Sequence, residues 1–148
     1  MEIQRAYKVE LDPNNEQLTA LRCHAGCARW AYNWGLQQKI TSFKETGKSP
    51  SATELHKELN KLKGVDLADG GVHWMYNVSK CAPQEALRDL DRAFQNFFRR
   101  CRKGAGQKGF PKWKSRHNQL HSLSELAGCL IEAGTKLNRY SVAIGRFW

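Results

Sequence analysis

Cations and aromatic rings dominate the residues able to do chemistry. Between Arg88 and Arg116 ten arginines and lysines face only Asp89 and Asp91, a local charge of +8 in a chain whose total is +10. Over the first part of this stretch, beginning near Pro83, Leu87, Leu90, Phe94, Phe97 and Cys101 recur at three- and four-residue spacing. Arg88, Arg92, Arg99 and Arg102 fall on another side, so an amphipathic helix with one apolar and one basic face is predicted. Gly104, Gly106 and Gly109 then break the pattern. Beyond them Phe110, Pro111 and Trp113 alternate with Lys108, Lys112, Lys114 and Arg116. Cations that neutralise phosphates and flat rings that stack on bases are the two ingredients of a single-strand-tolerant nucleic-acid surface. The pattern therefore points to binding more than to catalysis.

The remaining candidates are weaker. Arg29 and Asn33, four residues apart beside Gly26, could meet phosphate or base, or could equally bond one helix to another. Cys23-His24-x-x-Cys27 has the look of half a metal site, but no second Cys or His pair stands at a matching spacing, and core packing is the default. The five histidines share no catalytic spacing. Two-metal phosphodiester chemistry needs carboxylates that converge on ions about 4 Å apart, and no such set is evident, so no nuclease activity, metal or cofactor is expected of these residues.

The totals agree with a nucleic-acid partner. A pI near 9.6 favours a polyanion. The 148 residues suffice for one domain, with 41% hydrophobic and 26% charged residues as in soluble globular proteins. No apolar run reaches the roughly 18 residues of a membrane span, and the N-terminus has no signal-peptide core. A cytoplasmic protein, nucleoid-associated when bound and without a membrane partner, is expected. Five scattered cysteines fit reduced thiols.

The elements that must position these groups can be read in order. Residues 3–11 alternate well enough for a strand. Asn14 and Glu16 open a long helix whose stripe runs Leu18, Leu21, Ala25, Ala28, Tyr32, Leu36, Ile40 and Phe43 until Gly47. A glycine in mid-helix costs about 1 kcal/mol relative to alanine unless a backbone or ligand comes close, so Gly26 is expected to mark a crossing point. Ser49-Pro50-Ser51 starts a short helix through Leu55, Leu59 and Leu62 to Gly64. Residues 72–78 read as a helical turn docking Trp74 and Val78. Ser79 can cap the basic helix, with Pro83 in its tolerant first turn. Trp30, Trp34, Trp74, Phe94, Phe97 and Phe98 are expected in the core. After Arg116 two or three strands fit, at about 120–126, 128–132 and 139–147. The predicted class is α+β, a helical bundle inserted into a small β-unit formed by the two chain ends. The divisions fall at 1–12 for the first strand, 13–104 for the helical domain and 105–148 for the basic linker and remaining strands.

Three ordered blocks, EQLTALRCHAGCARWAYNWGL, ALRDLDRAFQNFFRRCRKG and KGFPKWKSRH, resemble the N-terminal half of TnpB (OrfB), a family of transposon-encoded RNA-guided DNA nucleases related to type V CRISPR effectors and long described as helix-turn-helix transposases. The resemblance covers residues 5–118 and, more loosely, the segment to Gly145. It implies a split β-barrel wedge with an inserted recognition domain, and guide RNA and double-stranded target DNA as partners. Lys80 and Gln84 fall where the family places base-reading residues, and their spacing of four puts both on one helix face, within reach of a groove. Ala52 and His56 lie at other motif-reading positions, although Ala52 offers no hydrogen bond. The family's catalytic carboxylates and zinc ribbon have no counterpart here. The resemblance thus implies a truncated or separately encoded binding portion without nuclease activity, to which another chain could supply the catalytic half, or alternatively a functionless remnant that retains a sticky surface.

Overall fold

The computed structural model describes residues 13–104 and 109–116. Helix α1 spans Asn15–Thr46, α2 Ala52–Lys63 and α3 Cys81–Arg102, with short 3-10 turns at Leu67–Asp69 and His73–Asn77 between α2 and α3. No strand is present among the described residues. The α+β expectation is therefore corrected to an all-helical fold for this part of the chain. The segments given to strands, 1–12 and 117–148, lie outside the described residues, as do Lys108 and Cys129. The nearest extended segment, 109–116, has a physical reason for not opening a sheet. At Lys114 its backbone N–H and carbonyl are both taken by the Asn33 side chain, with bonds of 2.9 and 3.0 Å, leaving that residue no groups for a neighbouring strand.

Local sequence explains the helix ends. The Asn14 side chain accepts from the Gln17 N–H at 2.8 Å while Gln17 accepts from the Asn14 N–H at 3.0 Å, a reciprocal cap that opens α1. Gly47, at φ 69°, closes it in the left-handed conformation that a side chain disfavours. Ser51 and Glu54 repeat the reciprocal cap on α2, and the bond to the Ser51 backbone holds the Glu54 carboxyl below its usual range.

The core lies where the three helices meet. Leu36 and Ala31 of α1, Leu55 and Leu59 of α2, and Leu87 and Leu90 of α3 are fully buried, with Met75 of the second 3-10 turn inserted between them. Met75, rather than Trp74, is the residue that turn drives into the core. The crossing of α1 and α3 is set by Gly35, not by Gly26. A Cβ on Gly35 would stand 2.6 Å from Leu87 Cδ2 and 3.1 Å from Leu90 Cδ2, whereas one on Gly26 would meet no described atom within 4 Å. Both glycines sit in one helix; only one is there for helix packing.

A buried ion pair ties the bundle at one point that the hydrophobic pattern conceals. Lys39 is 5% exposed, one turn beyond Leu36. Its Nζ lies 2.7 Å from Asp91 Oδ1 and also donates to the Pro50 carbonyl. Asp91 Oδ2 in turn accepts from the Ala52 N–H at 2.8 Å, at the start of α2. One carboxylate thus satisfies a cation on α1 and an otherwise unbonded backbone donor on α2, from its place on α3.

Candidate nucleic-acid interface

The basic helix is as amphipathic as its sequence implies, with Ala82, Pro83, Ala86, Leu87 and Leu90 buried. Its start is bonded through Ser79, whose Oγ accepts from the Cys81 N–H at 3.3 Å. Lys80, the residue before the first turn, is exposed, and Gln84 is half-buried one turn later. Arg88 and Arg92 are exposed but paired, Arg88 with Glu85 and Arg92 with Asp89, each three residues back. Pairs this open to water contribute about 0–1 kcal/mol, so a phosphate can displace the carboxylates. Arg99, Arg100, Arg102 and Lys103 crowd the last turn of α3, all exposed. Cations there also suit the negative end of the helix dipole.

The strip 109–116 runs back from this end as a strap, fastened at three points. Phe110 sets its ring edge-on against Phe94 and Phe97, with centroids 5.5 and 5.4 Å apart. Pro111 is buried. Asn33 clamps the Lys114 backbone, and Lys114 Nζ lies over the Tyr32 ring, 4.3 Å from its centroid. Burial, and secondarily Asp89, raises the Tyr32 hydroxyl above its ordinary pKa, so it stays neutral beneath that cation. Lys112, Trp113, Lys114 and Arg116 are exposed along the strap. Asn33 is therefore committed to the fold, in the manner of the interhelix bond weighed against contact, although its partner is the strap and not a helix. Phe110 is chiefly an anchor.

Trp30 and Trp34 are half-buried and packed against the core as expected, whereas Trp74 is exposed. Trp30 and Trp34, one turn apart on α1, stack nearly parallel with centroids 6.1 Å apart, and Trp74 stands edge-on to Trp30 at the same distance. With Trp113 they line an open groove of about 790 Å³ that also includes Arg22, Arg29 and Gly26. Trp74 is 37% and Trp113 54% exposed. The phenylalanines depart from expectation too, since Phe94 and Phe97 are only half-buried and Phe98 is exposed.

In Cys23-His24-x-x-Cys27, His24 and Cys27 are buried and Cys23 is exposed. The His24 Nε2 accepts from the Ser79 N–H at 3.1 Å, so its proton sits on Nδ1 and is donated to the Ala20 carbonyl at 2.7 Å. Both ring nitrogens are spent, Nδ1 within α1 and Nε2 joining α1 to the residues just before α3. Cys27 is buried, and desolvation pushes its thiol up to about 11 despite Lys63 nearby. Cys23, Cys27, Cys81 and Cys101 form no disulfide among the described residues, and no group of three metal-ligating side chains converges there. Ala52 lends its backbone N–H to Asp91. The His56 Nε2 is buried without a hydrogen bond, and burial together with Lys63 and Arg88 lowers its pKa. No helix among the described residues is long and apolar enough to cross a membrane.

Lys39 and Asp91 are the structural ion pair that sequence reading missed. A signal existed: a lysine at i+3 from a core leucine requires a buried anion, and Asp91 follows the core Leu90 on the facing helix.

A basic, aromatic-lined helical unit of this kind is the class into which the comparisons fall. Residues 1–48 match the Helix-turn-helix domain of OrfB-type proteins. Within that match the described residues form one unbroken helix, and the turn and second helix come just after it, at residues 47–63. Two curated relatives extend the likeness. The "Putative RNA-guided DNA endonuclease" of Streptomyces pristinaespiralis is 29% identical over 115 residues, which is 78% of this chain and 26% of that protein. The "Putative RNA-guided DNA endonuclease InsQ" of Escherichia coli (strain K12) is 26% identical over 112 residues, or 76% and 25%. By these matches the chain is similar to OrfB-type (TnpB-like) transposon proteins over about three quarters of its length. It spans about a quarter of the length of the curated relatives it matches.

Proposed function

We propose that this chain is the nucleic-acid-gripping part of a TnpB-like transposon protein, holding guide RNA and target DNA chiefly through phosphates. The observation that carries the reading is the cluster of exposed cations on the last turn of α3 and on the strap that returns from it: Arg99, Arg100, Arg102, Lys112 and Arg116, fixed by a packed bundle. The names of its relatives, both RNA-guided DNA endonucleases, support the same partners. In this reading Arg88 and Arg92 add phosphate contacts by exchanging their carboxylate partners. Lys80 and Gln84 touch base edges at the other end of α3. Residues 13–104 act as the recognition unit, and the basic linker begins at 105. Strand cleavage is assigned to a catalytic part supplied from elsewhere.

The test is the salt dependence of binding by the full chain. Neutralising about five phosphates gives a slope of log affinity on log salt near −4 for duplex DNA. Changing Arg99, Arg100, Lys112 and Arg116 to Gln should weaken binding to all sequences and flatten the slope by about 3. Lys80→Ala with Gln84→Ala should instead relax sequence preference. A salt-independent affinity overturns the reading, and magnesium-dependent cleavage by this chain alone overturns the assignment of chemistry.

A further inference from the structure

The tryptophan groove has chemistry that the phosphate grip does not use. Its walls are the stacked Trp30 and Trp34, the edge-on Trp74 and the strap's Trp113. Its charged lining among the described residues is Arg22 and Arg29. At about 790 Å³ it falls within the roughly 300–1,000 Å³ of small-ligand sites. Indole faces flanked by guanidinium groups are suited to a planar, electron-rich ring attached to an anion. Gly26 supplies a second, independent observation. It weakens α1 at mid-helix, no described atom lies within 4 Å of the place of its missing side chain, and it borders the groove. Gly35 shows what a glycine does in this helix when packing requires it; Gly26 instead leaves room on the groove side.

We propose that this groove accepts an unpaired nucleobase of a single strand whose phosphates are held by Arg22, Arg29 and the neighbouring strap, with Trp30, Trp34 and Trp113 as stacking surfaces. The inference rests on the nucleic-acid reading above and adds a distinction to it: the cation cluster grips any backbone, while the groove selects strands with a base free to enter. A base in a duplex is stacked and paired on both sides and cannot enter without being extruded. Oligo(U) and oligo(dT) offer the same chemistry with and without the 2′-hydroxyl, which lets the strand type be read from the same experiment.

The experiment measures binding of the full chain to short labelled oligo(U), oligo(dT) and a blunt DNA duplex, with tryptophan fluorescence as a second signal. Gly26→Leu fills the groove from a position where the added side chain meets no described atom within 4 Å of its Cβ, and it favours the helix. Single-strand affinity should fall at least fivefold, the lower end for loss of one stacked base, with duplex affinity changed less than about twofold. Single strands should quench the wild-type tryptophans and leave those of Gly26→Leu much less affected. Trp113→Ala, outside all helices, should repeat the selective loss should the first variant fail to fold. A selective loss confined to oligo(U) or to oligo(dT) upholds the site and names its strand. Equal losses for single strand and duplex, no loss, or no quenching overturns the groove while the phosphate grip stands. Absence of binding to all three probes removes both.

Discussion

Two aromatic clusters flank the strap, and they do opposite things with the same kind of side chain. Phe94, Phe97 and Phe110 meet edge-to-face and close over Lys39, whose Nζ lies 5.5 Å from the Phe94 centroid. Trp30, Trp34, Trp74 and Trp113 line a far wider space, a groove of about 790 Å³ against about 210 Å³ beside the phenylalanines. The strap serves both, placing Phe110 in the first cluster and Trp113, three residues on, in the second. An interleaved run of rings and cations is therefore not one surface. Phe110 and Pro111 secure it, while Lys112, Trp113 and Arg116 are left outward. The phenylalanine side should carry stability and the tryptophan side should carry binding, and substitutions can separate the two.

The largest effect belongs beneath the phenylalanines. Asp91→Ala strands the buried Lys39 without its anion and deprives the Ala52 N–H of its acceptor. Breaking such a pair from one side costs about 3 kcal/mol or more, to be read from the urea midpoint at constant m-value. Replacing both partners, Lys39→Met with Asp91→Leu, should recover a good part of the loss, because two apolar groups leave no charge behind. A double variant as unstable as the single one would mean that the Ala52 bond, not the ion pair, is the important half.

Next comes the direct comparison of rings. Phe94→Ala removes a half-buried ring that touches Phe98, Phe110 and Lys39, and should destabilise by about 2–3 kcal/mol. Trp113→Ala should stay within about 1 kcal/mol, as surface substitutions do. Equal losses in urea would erase the division between the two clusters.

The two glycines of α1 give a smaller contrast of opposite sign. Gly26→Ala gains helix propensity in open space and should stabilise by about 0.5–1 kcal/mol. Gly35→Ala forces Leu87 and Leu90 aside and should destabilise by about 1–3 kcal/mol. Thermal midpoints moving in the same direction would show that α1 and α3 are not seated as described.

That contrast also shows what could be read in advance. The helices were legible because their starts and their 3.6-residue stripes agree: Asn14 opens α1, Ser51 opens α2, and Leu55, Leu59, Leu87 and Leu90 lie in the core. Which of two mid-helix glycines faces a neighbour was not, because that depends on how α3 lies across α1. The tryptophans were legible only in part for a related reason. Trp30 and Trp34 flank the buried Ala31 and Tyr32 on α1, and large rings at the edge of an apolar stripe read as core. Only the third dimension reveals that the neighbouring 3-10 turn and strap border a groove at them without filling it. Asn33 could be suspected of a polar bond, but its partner, 81 residues away on the strap, could not. The β-unit was inferred from alternation at the chain ends, where a sheet needs a partner strand that periodicity does not supply.

The smallest effect is a pH dependence that belongs to neither cluster and so serves as their control. His56 of α2 has a buried, unbonded Nε2, and burial, Lys63 and Arg88 all disfavour its charged form, lowering its pKa from 6.5. The unfolded chain therefore takes up this proton more readily than the folded one. Its contribution is intact above about pH 6.5 and is lost as the pH falls below that value. The urea midpoint of the wild type should decline between about pH 7 and pH 5, and His56→Gln should reduce that decline while changing little at neutral pH. Because His56 touches neither Phe94 nor Trp113 in any recorded ring contact, adding His56→Gln to each of those variants should shift their midpoints by the same amount. An acid sensitivity that disappears in Phe94→Ala but persists in Trp113→Ala would instead tie the proton to the phenylalanine side, and would make α2 part of the cluster that closes over Lys39.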